Sequence, residues 1–532
     1  MTIEYWRFEK FVKEYKLLCK STVRIMFYEK IKLTKREILI NSGKLLTLSL
    51  LPLSTRLALG DQHWDVIVVG AGTAGLPTAL FASQRGARVL LIEKAGTIGG
   101  TLFLSTGQIA GAGTVFQEQK GIKDKPEDHY DDIMRINKNT SDPKLARLLV
   151  NNAGETINWL AANGYRIFED HPVTGIAHDH YKTARYIQGV EGGISILKVF
   201  NPKIQAAIQR GSVSLLLNTG VVDLVQTKNE SIRGVIVEDE DGRRTQYEGH
   251  NTVLASGGCA SNPHLFEELH NVPLYCQIAY PYSQGAGLML GQAAGGYIHG
   301  GEKYASLPGA ILVDDKYPSP LYGHAPLYPP NRQPWEILVN SHGERFVQED
   351  HPSVDHIEHG IVKQPGHRHW AIFDQRMLDE SPPIIPGWSS DRIVSESKKH
   401  TMFKSENDLR TLAVKSGLNP RKLSATVDQF NSDLIYNRED LFQRIHRPLP
   451  IAKPPFYSIR MQGWTLCSFA GLAVNGNLEV IKPSGERVKN LYAVGEVIGA
   501  GATLGNAYVN GMLVTPAITF GRLLGEKILP LS

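Results

Sequence analysis

The stretch DVIVVGAGTAGLPTALFASQRGARVLLIEK, Asp65–Lys94, decides the fold of this chain. It opens on a short apolar run, Val66–Val69, of the kind that fills a buried parallel strand. A helical pattern follows over Thr73–Arg85, and a second apolar strand pattern covers Arg88–Ile92. Strand, helix and strand in this order predict the βαβ unit of a Rossmann-like α/β domain that binds a nucleotide.

Three glycines between the first strand and the helix fit the pattern G-x-G-x-x-G. Gly70 allows a tight turn, Gly72 lets the backbone approach a pyrophosphate, and Gly75 lets helix and strand pack closely. The N-terminus of the helix offers free N–H groups to the anion. Glu93 follows about twenty residues later, where a carboxylate accepts hydrogen bonds from an adenosine ribose. The stretch therefore predicts a dinucleotide-binding turn.

Composition and charge are those of an ordinary globular protein. The 532 residues are 42% hydrophobic and 21% charged, and this length is enough for two or three domains. A net charge of +4 is too small to indicate a nucleic-acid partner. The four cysteines lie far apart and form no CxxC motif. Their spacing argues against a zinc site, an iron–sulfur cluster, an attached c-type haem and a disulfide framework.

The first sixty residues differ from the rest. A basic segment, Thr34–Leu39, precedes an apolar segment of about ten residues within Lys44–Ser54, and small residues follow. This order predicts an export signal, and TKREIL resembles the twin-arginine motif with lysine in place of the first arginine. The apolar segment is too short for a stable transmembrane span. We expect a periplasmic or otherwise exported protein; a disordered tail on a cytoplasmic protein is the alternative.

The composition of the sequence changes between about Tyr297 and Trp464, where prolines, histidines and aromatic residues are scattered. The last segment returns to strand, glycine-rich loop and helix. NLYAVGEV, Asn490–Val497, is a short apolar strand closing on Gly-Glu, which is typical of flavoproteins when an N-terminal Rossmann turn is also present. We therefore expect an FAD-binding domain built from residues 61–296 and 465–532, an inserted α+β capping domain at 297–464, and a signal or tail at 1–60.

Longer motifs carry a resemblance to a known family. They are VIVVGAGTAGLPTALFASQRGARVLLIEK, GGTLFLSTGQIAGAGT, VLASGG, QGAGLMLGQAAGG, ILVNSHGERFVQED, HWAIFDQR and LYAVGEV with TPAITFGRLLG. With them, the chain resembles the fumarate reductase flavoprotein and 3-ketosteroid dehydrogenase superfamily over most of Asp65–Ile528. The resemblance implies non-covalent FAD beneath a cap. It also implies hydride exchange between flavin N5 and a carbon next to an activating carbonyl.

The resemblance further implies which residues bind FAD. On the ADP side they form the glycine turn with its acidic residue, a strand at the adenine and a second turn at the phosphates. On the flavin side they form a loop that passes the ring, an acidic residue that holds the ribityl chain, and a helix N-terminus that faces the pyrimidine ring. The predicted FAD-binding residues are Gly70, Gly72, Ala74, Gly75, Glu93, Lys94, Gly100, Thr101, Ser105, Thr106, Gly107, Val222, Ala255, Ser256, Gly257, Glu496, Leu513 and Val514.

The fumarate reductase branch needs cations that this chain lacks. The segment Pro352–Val354 stands where its arginine proton donor is sought, its clamp arginine is missing around Thr503, and its late histidine falls near Cys467. Two carboxylates bound without those cations would be desolvated and unpaired. We therefore expect a neutral or mono-anionic substrate with a ring or a long apolar body, rather than fumarate or succinate.

The ketosteroid dehydrogenase branch uses tyrosines and a backbone amide instead. Tyr508 and Gly511 resemble its Tyr-x-x-x-Gly segment with one residue fewer. An amide such as that of Gly511 polarises a ketone oxygen, and a tyrosine moves the proton on the carbon beside it. The histidines of HPSVDHIEHG show no clear ligand spacing, so we predict no metal. The predicted catalytic residues are Tyr508, Gly511, Tyr328 and Tyr282, and the further candidates are Tyr280, Tyr304, His324, His351 and His356.

The sequence thus predicts an FAD-dependent oxidoreductase acting on CH–CH groups and resembling 3-ketosteroid dehydrogenases. Its expected partners are a small carbonyl substrate and a separate electron donor or acceptor. One alternative is a periplasmic enoate reductase with a substrate other than a dicarboxylate. An alternative of another class is a flavin-binding protein without turnover.

Overall fold

The computed structural model describes residues 58–529. The predicted export signal, within Thr34–Ser54, lies outside the described residues. Among residues 58–529, no helix combines the length and the apolar character that a membrane crossing needs.

The helices and strands of the described residues are numbered in chain order. The strands are β1 Ala58–Val69, β2 Val89–Ile92, β3 Gln108–Ala110, β4 Tyr186–Gln188, β5 Val213–Leu216, β6 Gly220–Gln226, β7 Ile232–Glu238, β8 Arg244–Leu254, β9 Cys276–Gln277, β10 Ile298–His299, β11 Leu307–Leu312, β12 Ser319–His324, β13 Ile337–Val339, β14 Arg368–Asp374, β15 Phe403–Glu406, β16 Phe456–Trp464, β17 Gly471–Leu472, β18 Glu479–Ile481 and β19 Arg487–Ala493. The α-helices are α1 Gly75–Gln84, α2 Val115–Glu118, α3 Pro126–Ile136, α4 Pro143–Ala162, α5 Gly193–Gln209, α6 Pro263–His270, α7 Ala286–Ala293, α8 Val354–Val362, α9 Gln375–Glu380, α10 Ser390–Ser397, α11 Leu409–Ser416, α12 Pro420–Ile435, α13 Gly501–Leu504 and α14 Val514–Lys527. Short 3₁₀ helices occupy Gly100–Phe103, Pro365–His367 and Gly495–Ile498.

The first sheet is built from both ends of the described chain. Its strand order is β18-β19-β8-β1-β2-β5, with β6 and β7 extending from β8. β1 pairs in parallel with β2, β2 with β5, and β19 with β8, which is the pairing expected of βαβ units. The predicted α/β domain formed from both chain ends is therefore confirmed.

Helices α1 and α14 pack against each other beside this sheet. The apolar side of α1 is buried, with Leu76 and Ala79 fully inaccessible. Glycines on α14 allow close contact, because a Cβ at Gly521 would lie 2.4 Å from the carbonyl oxygen of Ala74 on α1. The C-terminal helix is thereby fixed against the helix that follows the first glycine turn.

The second sheet has the strand order β13-β14-β16-β11-β12-β9, and β15 also pairs with β16. Most of its pairs are antiparallel, and nearly all residues of β14 and β16 are buried. Such continuous burial is typical of strands covered on both faces. This sheet forms the core of the predicted cap, while the boundaries at residues 297 and 465 stay predictions.

The strand predicted within Asn490–Val497, closing on Gly-Glu, is present as the C-terminal part of β19. β19 stops at Ala493, and Gly495 begins a short 3₁₀ helix with φ of +79°. The left-handed conformation turns the chain away from the sheet. A Cβ at Gly495 would lie 2.8 Å from the Cβ of Ala74, so the turn also brings this segment against the first glycine turn.

Candidate functional site

The turn between β1 and α1 leaves open space beside one of its three glycines. A Cβ at Gly75 would lie 1.8 Å from the carbonyl oxygen of Gly70, and a Cβ at Gly70 would lie 2.5 Å from that of Ala255. At Gly72, the nearest atom is the Cα of Gly100, 3.8 Å away. Packing therefore requires glycine at 70 and 75, whereas Gly72 leaves the backbone accessible, as a pyrophosphate needs.

Helix α1 begins without a side-chain cap. Its N-cap residue is Ala74, which makes no capping hydrogen bond. The Leu76 amide donates to the Gly72 carbonyl oxygen, whereas the Gly75 amide donates to no group in the described residues and is available to an anion. The hydroxyl oxygens of Thr73 and Thr101 lie 3.1 Å apart, so the turn and the predicted loop at Gly100–Gly107 lie side by side.

The carboxylate of Glu93 holds the glycine turn. Its Oε2 accepts a hydrogen bond from the Ala71 amide and its Oε1 one from the Ala95 amide, both at 2.8 Å. Burial raises the pKa of this carboxyl group. Each carboxylate oxygen has a second lone pair, so Glu93 retains capacity to accept from a ribose hydroxyl. The support that Glu93 gives to the turn was not anticipated from the sequence.

The loop at Gly100–Gly107 is fixed by its own contacts. The Gly107 amide donates to the Ser105 hydroxyl at 3.0 Å. A Cβ at Gly107 would lie 2.3 Å from the backbone of Gly192, just before α5. Thr106 and Lys94 are exposed, and Lys94 has its aliphatic stem beside Gly220. The predicted residues of this loop therefore lie together and next to Gly72.

Two further predicted segments have an exposed or uncrowded position. Val222 lies at a bulge in β6, between the pairs of Val221 and Asp223 with β7, and its side chain is 41% exposed. Ala255 follows β8, and its amide donates to the carbonyl oxygen of Val69 at 2.8 Å. Ser256 accepts from the Gly287 amide at 3.0 Å, and a Cβ at Gly257 would meet nothing closer than 3.6 Å. Both segments can approach a ligand through main-chain atoms.

The C-terminal part of the predicted FAD site combines an acid and a helix N-terminus. Glu496 Oε1 accepts hydrogen bonds from the Ser468 amide at 2.9 Å and its hydroxyl at 3.1 Å. Burial raises the pKa of this carboxyl group. Helix α14 starts at Val514 with Leu513 as an N-cap residue that makes no capping hydrogen bond. The amides of Leu513 and Val514 donate to no group in the described residues and can stabilise negative charge.

Taken together, these elements fit FAD. An extended dinucleotide needs backbone access near the phosphates, acids for its hydroxyl groups and a positive field for the flavin. The open space at Gly72, the carboxylates of Glu93 and Glu496, and the uncapped N-termini of α1 and α14 provide these.

Tyr508 lies at the centre of an aromatic cluster formed by His178, Tyr304, Tyr328, Phe469 and Tyr508. Its ring stacks on His178 and meets Phe469 edge-on, with centroid distances of 5.1 and 6.0 Å. Tyr304 contacts Phe469 at 5.8 Å, and Tyr328 contacts His178 at 6.2 Å. Two predicted residues, Tyr508 and Tyr328, are thus brought together around a histidine.

The Tyr508 hydroxyl is hydrogen-bonded to Thr465. It lies 2.7 Å from Thr465 Oγ1, and burial raises the pKa of the phenol well above its usual range. The phenol therefore stays protonated at neutral pH and can donate a hydrogen bond. Burial likewise raises the pKa of Tyr304.

Gly511 lies between this cluster and α14. Its φ is +78°, and a Cβ would lie 2.7 Å from the amide nitrogen of Ala110. Its carbonyl oxygen accepts from the Thr515 amide at 3.1 Å, whereas its own amide donates to no group in residues 58–529. A free amide at this position suits the predicted role of polarising a carbonyl.

Tyr282 is not brought together with the other predicted catalytic residues. It is 39% exposed and packs against Tyr280, 5.6 Å between centroids. Burial raises the pKa of Tyr280, and the nearby Glu93 carboxylate adds to the shift. The pair therefore lies on the side of the predicted ribose site. In sequence, neither tyrosine differs from those of the cluster.

The contacts described for the histidine candidates are with residues outside the aromatic cluster. Burial lowers the pKa of His324 to about 4, so it is neutral at pH 7. His351 and His356 stack on each other at 4.3 Å. Across the described residues, histidine, cysteine and acidic side chains form no group of three or more suited to a metal ion.

Sequence reasoning missed His178 and Glu358. His178 Nδ1 lies 3.1 Å from Glu358 Oε1, and the two residues are 180 positions apart. Burial raises the pKa of the Glu358 carboxyl group, and His178 opposes that shift. Glu358 lies within the histidine-rich segment noted in the sequence, but its partner is visible only in three dimensions.

Neutral groups occupy the three positions at which the sequence lacks the cations of the fumarate reductase branch. The Ser353 hydroxyl lies 2.8 Å from both carboxylate oxygens of Asp179. Thr503 is buried with its hydroxyl 3.4 Å from the Met512 carbonyl oxygen, and Cys467 is buried. Among the described residues, neither Tyr508 nor His178 bonds to an arginine or lysine side chain.

Comparisons with known proteins support FAD as the cofactor. A family model described as FAD binding domain matches residues 65–508. The fumarate reductase (cytochrome) of Shewanella frigidimarina is 26% identical over 470 residues, which cover 87% of this chain and 76% of that protein. The vinyl phenol reductase of Lactiplantibacillus plantarum is 26% identical over 489 residues, which cover 87% of this chain and 96% of that protein.

A solved structure shows the same fold. The 3-ketosteroid Δ1-dehydrogenase of Sterolibacterium denitrificans, crystallised with 1,4-androstadiene-3,17-dione, has a TM-score of 0.69 at 18% identity, covering 88% of this chain and 99% of that one. The family match spans both the glycine turn and the aromatic cluster. This chain belongs to the FAD binding domain family, and it is an FAD-dependent oxidoreductase of the fumarate reductase and 3-ketosteroid dehydrogenase superfamily that acts on CH–CH groups.

Proposed function

We propose that this oxidoreductase exchanges a hydride with a carbon next to the carbonyl group of a neutral or mono-anionic, ring-bearing substrate, as 3-ketosteroid dehydrogenases do. Bound FAD supplies the two-electron chemistry. The chain supplies the aromatic cluster, which offers flat apolar surfaces to a ring, and two hydrogen-bond donors, the Tyr508 hydroxyl and the Gly511 amide.

The observation that carries the substrate class is the absence of arginine and lysine side chains bonded to Tyr508 or His178 in the described chain. Buried arginines elsewhere are already neutralised. Arg185 pairs with Asp124 and Asp132, and Arg345 pairs with Glu349 and Asp440. A dicarboxylate bound at the cluster would leave two charges desolvated without partners, which is costly.

The two hydrogen-bond donors suggest how the chain acts on the substrate carbonyl and on the carbon next to it. The Gly511 amide is unused among residues 58–529 and lies near the start of α14, where it can donate a hydrogen bond to a ketone oxygen. The buried Tyr508 hydroxyl, bonded to Thr465, keeps its proton and can donate to the same oxygen or to a carbon beside it. Polarising the ketone acidifies the neighbouring C–H bond, which is the step that precedes removal of a hydride.

The test is an anaerobic titration of the purified, yellow protein. With 5α-androstan-3-one, we expect bleaching of the flavin absorbance and formation of the enone; with succinate, we expect no change. Bleaching by succinate, or no response to any ketone or enone while fumarate reoxidises the reduced flavin, overturns the substrate class. No response to any of these compounds favours a flavin-binding protein without turnover.

Reduction of a C=C bond is the second candidate direction. It is favoured by the names of the two sequence relatives, fumarate reductase and vinyl phenol reductase. Here the dithionite-reduced protein is mixed with androst-4-ene-3,17-dione or 2-cyclohexenone. Reoxidation faster than the bleaching measured with the saturated ketone identifies a reductase, which takes its electrons from a separate donor. An exported location, proposed from the signal-like N-terminal sequence, is checked by cell fractionation.

A further inference from the structure

We infer that His178 is the acid–base residue that exchanges a proton with the carbon next to the substrate carbonyl, and that Glu358 positions it. The inference rests on the proposed function, because it assigns the proton half of that reaction. It adds a residue that neither the sequence motifs nor the named relatives indicate.

The position of His178 is fixed from three sides. Tyr508 stacks on its imidazole at 5.1 Å with an interplanar angle of 20°, and Tyr328 contacts it edge-on. On the third side, Glu358 Oε1 lies 3.1 Å from Nδ1. The side chain is 13% exposed, against 2% for Glu358, so the imidazole is nearly enclosed but retains an opening.

The segment that carries His178 is also held. The carbonyl oxygen of Asp179 accepts from Asn510 Nδ2 at 3.0 Å. The Asp179 carboxylate accepts from the Ser353 hydroxyl, just before α8. The Tyr181 hydroxyl donates to the Asn510 carbonyl oxygen. These contacts tie His178 to the Tyr508–Gly511 loop and to the helix of Glu358, so all three elements meet at the cluster.

The hydrogen bond to Glu358 decides which ring nitrogen is free. A carboxylate that accepts from Nδ1–H fixes the tautomer of the ring. Nε2 then has no partner among residues 58–529 and can address a substrate. The titratable groups facing the pair are Tyr508 and Tyr328 around the ring, Asp179 beside it in sequence, and Asp355 on α8.

The other histidines near α8 are engaged differently. His359 is bonded to Asp355, 2.9 Å between Nδ1 and Oδ1, and is 26% exposed. His180 Nδ1 lies 3.3 Å from the Thr174 hydroxyl. Within the described residues, neither contacts the aromatic cluster. His178 alone among these three combines a buried carboxylate partner with the cluster.

The proton step balances in both directions. In dehydrogenation, the C–H bond next to the carbonyl breaks, its proton joins Nε2, and its electron pair becomes part of the new C=C bond as a hydride leaves the neighbouring carbon for FAD. In reduction, the Nε2–H bond breaks and a C–H bond forms next to the carbonyl, while the hydride comes from reduced FAD. In each case solvent restores the starting protonation state.

The experiment isolates the proton step from hydride transfer. With FAD kept reduced by dithionite, the holoenzyme cannot accept a hydride, so exchange of the hydrogens next to the ketone of 5α-androstan-3-one with ²H₂O reports only proton transfer. Mass spectrometry gives the rate for wild type, His178→Gln, Glu358→Gln and the control His359→Gln. General acid–base groups contribute about 10²–10⁴-fold, so we expect at least a 100-fold slower exchange in His178→Gln and a smaller loss in Glu358→Gln.

Three further readouts separate catalysis from structure. FAD content and the flavin spectrum should match wild type in all variants, and ketone affinity should change less than about threefold. His178→Ala should regain exchange with added imidazole. The rate of Glu358→Gln should fall with a changed pH profile, whereas His359→Gln should follow wild type. If the His178 variants do not retain FAD, the Glu358→Gln pH profile decides.

The outcomes distinguish the inference from the function it rests on. Exchange in His178→Gln within threefold of wild type, with turnover intact, overturns the inference and leaves the proposed function standing. An unchanged Glu358→Gln profile overturns the positioning role. Wild-type protein that neither exchanges nor changes flavin absorbance with any ketone or enone overturns both.

Discussion

The imidazole of His178 lies stacked on the ring of Tyr508, with centroids 5.1 Å apart and planes 20° from parallel. The first residue belongs to a segment before β4, and the second lies in the loop that leads to α14. Tyr508 also bonds to Thr465, so the segments of His178, Thr465 and Tyr508, which are distant in sequence, meet at one place.

Removing the Tyr508 hydroxyl should slow the reaction without releasing FAD. In Tyr508→Phe, the ring and its stacking on His178 remain, but the donor bonded to Thr465 is lost. We expect the rate of flavin bleaching by a ketone to fall about 10²-fold or more. Tyr436→Phe, at a position 72% exposed, is the control and should behave as wild type. Equal bleaching rates in both variants would exclude Tyr508 from the chemistry.

The two glycines Gly72 and Gly75 should separate cofactor binding from folding. A Cβ at Gly75 would overlap the Gly70 carbonyl oxygen at 1.8 Å, so Gly75→Ala should lower the free energy of unfolding by about 3 kcal/mol or prevent folding. At Gly72 a Cβ meets no atom closer than 3.8 Å. Gly72→Ala should therefore leave the apoprotein stable, within about 1 kcal/mol, but weaken FAD binding at least tenfold.

Calorimetry of the apoproteins and fluorescence titration with FAD measure the two effects. The pair also tests the cofactor site independently of activity. Gly72→Ala with unchanged FAD affinity would show that the open space at this turn does not hold the pyrophosphate.

Acid should destabilise the fold through two buried histidines, His367 just before β14 and His369 on β14. Burial lowers the pKa of His367 and His369 to about 4, whereas the pKa of a histidine in an unfolded chain is about 6.5. Between these values the unfolded chain binds protons that the native protein does not, so the contribution of these groups to stability is lost as pH falls.

A variant isolates this effect. Between pH 7 and pH 5, the stability advantage of wild type over His369→Gln should shrink by about 2 kcal/mol, measured by urea unfolding. His264→Gln, at an exposed position, should keep a constant difference from wild type. If the stability advantage of wild type over His369→Gln stays constant or grows between pH 7 and pH 5, the predicted direction of the pH dependence is wrong.

The cap should depend on one buried charge cluster. The Arg345 guanidinium donates to both Glu349 and Asp440, and all three side chains are at most 5% exposed. In Asp440→Asn the guanidinium loses half of its compensation, and we expect unfolding to be easier by about 3–5 kcal/mol. Glu344→Gln breaks the pair with Lys422, in which both side chains are 46% exposed, and should cost less than about 1 kcal/mol.

Denaturant unfolding of the four proteins (wild type, Asp440→Asn, Glu344→Gln and the double variant) provides the measurement. The double variant should show additive effects because the two pairs share no side chain. A cost for Asp440→Asn no larger than that for Glu344→Gln would mean that the buried cluster adds no stability to the cap.

The sequence predicted correctly those elements that depend on residues close together in the chain. The strand–helix–strand unit and the three glycine positions follow from residues within thirty positions of each other, and α1 begins at Gly75, two residues later than predicted, because Thr73 and Ala74 belong to the turn. The helix N-terminus at Leu513 and Val514 was also placed correctly. The strand that closes on Gly-Glu was found as well, because β19 ends at Ala493, just before the left-handed Gly495.

The catalytic side of the site was predicted less completely. Tyr508, Gly511 and Tyr328 were predicted, and the structure places Tyr508 and Tyr328 around His178. Tyr282 instead lies with Tyr280 beside the predicted ribose site. A tyrosine has the same local appearance in either place, so only the packing of the cap separates them.

By itself the sequence determined the nucleotide-binding turn and the α/β class, because hydrophobic periodicity and glycine spacing act over a few residues of neighbouring chain. Only the tertiary structure decided that a histidine in one segment and a glutamate 180 positions later share a hydrogen bond. Burial and pairing of polar groups depend on what else is packed around them, and that environment is assembled from the whole chain.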